Sequence, residues 1–132
     1  YALAADKLEL MRARVGDGDA TLNAGLATAY AELGDAGTAA EFGEAAYALA
    51  PANPVAADAF GWALYKQGDL AGAAELLRKA VALEPRHAGL QWHLAQVYAD
   101  MGRKADAKTH AQAALADPRF ADRAAATAVA GA

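Results

Sequence analysis

Asp58, Trp62 and Tyr65 stand at i, i+4 and i+7, so on a helix they share one face. A carboxylate beside two large aromatics suits recognition, because Trp and Tyr dominate binding hot spots. Other residues able to do chemistry are sparse. The chain has no serine and no cysteine. That removes Ser and Cys nucleophiles, disulfides and thiolate zinc sites. His87, His93 and His110 match no helical His-x-x-x-His pair and read as surface or packing histidines rather than metal ligands. Asp17 and Asp19 echo the start of a calcium loop, but the further ligands and the closing Glu are missing. GDGDAT lacks the lysine and lead-in strand of a phosphate loop. Glu41 and Glu44, one turn apart, read as a solvated face. No catalytic, metal or cofactor site is expected, and the chain is expected not to be an enzyme.

The elements that position these residues follow from composition. Of 132 residues, 42 are alanine, isoleucine is absent and valine occurs five times. Strands are poorly supplied and helices well supplied. The thin side chains suit helices packed closely together. The net charge of −4 argues against a nucleic-acid partner. It is uneven: residues 20–53 hold Glu32, Asp35, Glu41 and Glu44 without a Lys or Arg, whereas residues 88–132 are slightly basic. No apolar run reaches the ~18 residues that span a membrane. The chain begins at Tyr1 without a basic-then-apolar leader, which reads as a fragment or a processed chain and leaves localisation open.

A single period organises the chain. Gly34, Gly68 and Gly102 are evenly spaced by it, as are Pro51 and Pro85, with Pro118 one position early. Ala39, Ala73 and Ala107 recur in phase, and so do Ala46, Ala80 and Ala114, and Tyr30, Leu64 and Tyr98. Small residues at 27, 61 and 95 face those at 39, 73 and 107, which lets antiparallel helices approach closely. Each glycine supplies a left-handed turn, and Asp35 and Asp69 sit where they cap the following helix. Asn53-Pro54 and Asp117-Pro118 read as an N-cap followed by Pro at the first helical position. Helix pairs are predicted near 20–33 and 36–49, 54–67 and 70–83, and 88–101 and 104–116. Residues 2–15 read as a leading amphipathic helix with Leu3, Leu10 and Met11 on one side. A turn is expected over 16–19. A final helix is expected over 119–130, with Phe120 packed on the third repeat. Leu64 and Leu94 are expected in the core.

These columns resemble the tetratricopeptide repeat (TPR), a helix–turn–helix unit of the same period. The resemblance covers residues 20 to about 118. It implies an all-α TPR solenoid of three repeats, at 20–53, 54–87 and 88–118. An N-terminal helix and turn (1–19) and a C-terminal capping helix (119–132) flank them. The usual tryptophan of the first helix is replaced by Asn23, Ala57 and Gln91. The usual aromatic of the second helix is replaced by Gly43, Leu77 and Ala111. Both changes thin the core.

In this family the first helix of each pair lines a concave groove. The matching positions are Thr21, Ala24, Thr28 and Ala31; Asp58, Trp62 and Tyr65; and Trp92, Gln96 and Ala99. The resemblance therefore implies a peptide-binding groove built on Thr28, Asp58, Trp62, Tyr65, Trp92 and Gln96. For the two tryptophans the alternative is packing against a neighbouring repeat or terminal helix. Ala24, Thr28 and His93 replace the basic set with which some TPR proteins clamp a C-terminal carboxylate, so that clamp is not expected.

Asp58, Gly61, Trp62, His93, Leu94, Ala95, Phe120, Asp122 and Arg123 resemble the C-terminal repeats of bacterial envelope TPR proteins associated with PEP-CTERM and exopolysaccharide systems. That resemblance implies a periplasmic or envelope scaffold in polysaccharide export or protein sorting. The expected function is non-catalytic binding of a protein or peptide partner. Two alternatives stay open. One is a substrate-presenting or structural arm of a larger enzyme or secretion-channel protein. The other is self-association through the alanine-rich helical ends.

Overall fold

The computed structural model describes residues 2–15 and 18–131, with the side chains of 13–15 set aside. Part of the turn expected over 16–19, including Asp17, lies outside the described residues. The described residues form eight helices and no strand: α1 (Ala2–Val15), α2 (Ala20–Glu32), α3 (Ala36–Leu49), α4 (Pro54–Gln67), α5 (Leu70–Leu83), α6 (Ala88–Asp100), α7 (Lys104–Leu115) and α8 (Arg123–Gly131). Consecutive helices pack on each other along the chain, and α2 also lies along α4. The arrangement is a solenoid of antiparallel pairs.

The turn inside each pair is built three times from the same atoms. Gly34, Gly68 and Gly102 have φ of 88°, 90° and 78°. After each, the next backbone N–H reaches back five positions: Asp35 to Tyr30, Asp69 to Leu64 and Arg103 to Tyr98, each at 2.9 Å. The glycine N–H donates to Ala31, Tyr65 and Ala99, so both bonds of the glycine C-cap are present each time. Only glycine takes this backbone without strain. The residue after it then starts the second helix. Asp35 accepts from the Thr38 N–H at 3.2 Å and Asp69 from the Gly72 N–H at 3.0 Å. Arg103 makes no side-chain cap; it pairs with Asp106 at 2.7 Å and lies over the Tyr98 ring.

Between pairs, Asn53 caps α4 through the Val55 N–H, with Pro54 opening the helix. Asp19 caps α2 through Leu22. His87 caps α6 by accepting the Leu90 N–H on Nδ1, so the ring proton sits on Nε2. Asp117-Pro118 departs from expectation. It forms a turn in which Asp117 accepts from the Arg119 N–H, and α8 begins only at Arg123. The Arg123 guanidinium binds the carbonyls of Leu115 and Asp117, satisfying the end of α7 from the helix that follows. Phe120, in that turn, packs edge-on against Trp92.

Helix spacing follows side-chain size. Ala24, Ala27, Ala31, Ala56, Ala59 and Ala63 are all buried, so α2 and α4 meet through alanine faces. Gly43 brings α3 close to α4: a methyl group there would sit 2.7 Å from the Phe60 Cα. The equivalent residue one repeat later is Leu77, fully buried with Leu94, Val97 and Tyr98. The leucine fills this space, and α5 and α6 approach less closely than α3 and α4. Of the two leucines expected in the core, Leu94 is fully buried and Leu64 only partly.

The tryptophan replacements do more than thin the core. Gln91 is buried; it donates to the Pro85 carbonyl at 2.8 Å and accepts from His110 Nδ1 at 2.6 Å. It thereby joins the loop before α6 to α7. Burial pushes the His110 imidazole below its ordinary pKa, with Asp106 partly opposing. This contribution to stability is present above the imidazole's ordinary range and is lost as pH falls below it, toward the depressed value of the folded chain.

α1 also departs from expectation. Ala5 is buried, Leu8 lies against Gly25 and Glu9 accepts from Tyr30 Oη, while Leu3, Leu10 and Met11 are exposed. The apolar side chains expected to form its packing side therefore face outward. The bounds of α1 lie one full repeat before those of α3, in register with the second helices. Ala5 matches the buried Ala39, Ala73 and Ala107. Where those helices bury Gly43, Leu77 and Ala111, and Ala46, Ala80 and Ala114, α1 carries the ion pair Glu9–Arg12 at 2.9 Å.

Four outcomes are expected in urea denaturation followed by circular dichroism. Gly43→Ala costs about 1–3 kcal/mol, because backbone and not a flexible side chain blocks the methyl. Gly37→Ala does not destabilise, since a methyl there meets only the Asp35 carboxylate at 4.0 Å. Leu94→Ala costs about 2–5 kcal/mol, and Leu64→Ala costs less.

Candidate functional site

The first helices α2, α4 and α6 place one continuous cluster of polar and aromatic side chains. Trp62 is its centre. Its ring stacks on His93 with centroids 4.0 Å apart and planes 16° off parallel. Tyr65 lies on it at 4.7 Å. The indole N–H donates to Glu32 of α2 at 3.1 Å. Lys66 places its ammonium 5.3 Å from the indole centroid. Trp62 is 9% exposed, so it forms the floor of the cluster.

Two further rungs tie α4 to α6. His93 Nδ1 meets Asp58 Oδ1 at 2.6 Å, and Tyr65 Oη donates to Asp100 Oδ2 at 2.6 Å. Asp58 and Tyr65 stand at i and i+7 on α4, and His93 and Asp100 at i and i+7 on α6. Each helix therefore offers one donor and one acid, in opposite order. An ionised carboxylate only accepts, so the His93 proton in this bond sits on Nδ1. Burial, then the Asp100 hydrogen bond and charge, push the Tyr65 phenol up to about 12. The Tyr30 phenol is also raised, first by its hydrogen bond to Glu9.

The residues singled out from the sequence divide. Asp58, Trp62 and Tyr65 come together as the shared face requires. Thr28 is exposed on α2, one turn before Glu32, with its hydroxyl bonded to the Ala24 carbonyl. Gln96 is half-buried on α6, one turn before Asp100. Trp92 lies elsewhere: it is 6% exposed and packed among Ala88, Ala95, Ala111, Ala114 and Ala126, with Phe120 at its edge. The alanines of α7 and α8 leave space that the indole fills, so Trp92 holds the C-terminal end together rather than lining an open surface.

Sequence reasoning passed over Glu32, His93 and Asp100 as members of this cluster. The readable signal was the i, i+7 spacing of His93 and Asp100, which repeats that of Asp58 and Tyr65 on the next first helix. Among the described residues, no group of three or more His, Asp or Glu side chains is placed to hold a metal ion. No described helix is long and apolar enough to cross a membrane.

Residues 64–130 match the sequence pattern of the tetratricopeptide repeat family, about half of the chain. The chain belongs to the tetratricopeptide repeat family. No curated protein matches its sequence. Several solved structures share its fold. TTC0263, a thermophilic TPR protein of Thermus thermophilus, superposes with a TM-score of 0.82 at 22% identity, over 98% of this chain and 72% of that one. YrrB, described as a TPR protein with an unusual peptide-binding site, gives 0.77 at 22% identity, over 97% of this chain and 64% of that one. MamA gives 0.73 at 20% identity, over 88% of this chain and 68% of that one. At these identities the likeness shows the all-α TPR solenoid and nothing finer.

Tyr65 carries a pH signature. A phenol whose folded pKa is raised leaves stability intact below pH 10 and removes it as pH rises toward 12. In an ultraviolet absorbance titration of the phenolate, a late-ionising phenol is expected near pH 12 in the folded chain and absent in Tyr65→Phe. An unchanged titration of the variant means that Tyr65 is not held by Asp100.

Proposed function

We propose that this chain is a non-catalytic scaffold that binds an extended peptide or a helix on the face of α2, α4 and α6. The observation that carries the reading is the Trp62 cluster. A stacked indole and imidazole with a phenol beside them give a wide apolar floor. Glu32, Asp58 and Asp100 give that floor a polar rim. Large aromatics on a rigid helical surface with polar surroundings are what a binding hot spot requires. YrrB, of the same fold, is described as having an unusual peptide-binding site, which favours a peptide ligand for this fold.

Within this proposal Tyr65, Asp58, Thr28 and Gln96 meet the partner directly, with the little of Trp62 that is exposed beneath them, and Trp92 has no contact with it. The repeats at 20–53, 54–87 and 88–118 form the scaffold, with α1 and α8 closing its ends. The envelope and polysaccharide-export role implied by the resemblance of Asp58, Gly61 and Trp62 has no support in the comparisons and forms no part of the proposal. Self-association has one favouring feature, the exposed Leu3, Leu10 and Met11 of α1. It is kept as the second reading.

A random peptide library displayed on phage and selected on the immobilised chain tests the main reading, with the binder then mapped by amide chemical shifts. Shifts are expected at Thr28, Glu32, Tyr65, His93 and Gln96, with binding weakened at least about tenfold by Tyr65→Ala, the loss typical of a hot-spot aromatic. Shifts confined to α7 and α8, or to α1, defeat it.

A further inference from the structure

We propose that the segment bound on this face is basic, presenting a lysine or arginine to Glu32, Asp58 and Asp100 while an apolar residue lies against Tyr65 and Trp62. This rests on the preceding reading of the face as the binding surface and adds the chemistry of what binds there.

Three observations carry it. The first is how the rim acids are held. Four acids among the described residues, Glu9, Glu75, Asp106 and Asp117, pair with Arg12, Lys79, Arg103 and Arg119, and the others show no such ion pair. Within that same set, Glu32, Asp58 and Asp100 have no such Lys or Arg partner. Each is held by a ring donor instead: an indole N–H, an imidazole N–H and a phenol O–H. One such bond fixes the direction of a carboxylate and leaves lone pairs free for a charged donor. Bonds from a guanidinium or ammonium to such an acid are the stronger, shorter kind.

The second observation is Lys66. The chain's own ammonium already lies over the Trp62 ring. Lys66 stands one turn after Trp62 and places its charge over the ring, pairing with none of Glu32, Asp58 and Asp100, so those acids are left for a partner's cation.

The third is the wider field. The three first helices α2, α4 and α6 carry Glu32, Asp58 and Asp100 against the single cation Lys66, within a chain of charge −4. Such a surface draws in a cationic segment and repels an acidic one.

The test uses short peptides selected on the full chain from a random library, keeping those that Tyr65→Ala weakens. Their affinities are measured by fluorescence anisotropy on three proteins. One is the wild type. The second is Glu32→Gln/Asp58→Asn/Asp100→Asn, which keeps an acceptor oxygen for Trp62, His93 and Tyr65 but removes the charge. The third is Glu41→Gln/Glu44→Gln/Glu75→Gln, which removes equal charge from the second helices. Circular dichroism checks that each is folded.

The expected result is an excess of Lys and Arg in the selected peptides. Affinity should fall about tenfold or more on the rim variant, stay nearly unchanged on the control and weaken between about 50 and 500 mM salt. Should the rim variant not fold, citrulline or norleucine in place of the peptide's Arg or Lys removes the same charge pair on the unaltered protein, with the same loss expected. Tyr65-dependent peptides without a basic excess, or binding indifferent to these changes, overturn the basic partner and leave the binding face standing. If no selected peptide is weakened by Tyr65→Ala, the binding face itself is overturned.

Discussion

How closely two helices can approach is decided at the few positions where a side chain is no larger than a methyl group, and this fold depends on that limit. Ala27, Ala39, Ala63, Ala73, Ala95 and Ala107 are all buried to within a few per cent. At Gly61 a methyl would sit 3.1–3.4 Å from Leu77, Leu76 and the Ala73 carbonyl, tight but mostly against side chains that can yield. At Gly43 it would meet backbone. Packing of this kind gains little from any single side chain, because alanine has little area to bury. The gain comes from many dispersion contacts made at short range. Registration is therefore essential, and the glycine turn that recurs once in every repeat supplies it.

That logic explains what was legible in the sequence. Gly34, Gly68 and Gly102 have a backbone role, so their spacing alone located the turns. Asp35, Asp69 and Asn53 act on N–H groups two or three positions away, and such local bonds are readable. Asp117-Pro118 has the same local chemistry as Asn53-Pro54, yet it opens no helix. Arg123 reaches back to the end of α7 and Phe120 packs on Trp92, and the chain bends between them. Those partners are distant in sequence, so the dipeptide could not reveal them. The same holds for α1. Hydrophobicity pointed to Leu3, Leu10 and Met11, but the register fixed by Ala5 turned Glu9 and Arg12 inward.

The candidate site was half legible for a related reason. Asp58, Trp62 and Tyr65 lie on one helix, and helical spacing is enough to gather them. Glu32, His93 and Asp100 join them from α2 and α6 through pairings about a whole repeat apart in sequence. Trp92 shows the converse. Its place in the groove came from the position it occupies in the repeat. Its actual place came from the end of the array, where Phe120 and the alanines of α8 meet it. A repeat pattern describes an interior repeat well and a terminal one poorly, because the terminal repeat has a neighbour on one side only.

The joints between repeats are unequal. Between the first and second repeats, alanine faces and Gly43 leave no gap, so bending there means separating backbones already in contact. Between the second and third, Leu77 sets a wider spacing, and the first helices are joined by two hydrogen bonds and a ring stack. The Trp62 cluster spans both joints: its bond to Glu32 crosses the tight one, and the His93 stack with the bonds to His93 and Asp100 crosses the wide one. The indole is thus a keystone shared by two unequal gaps.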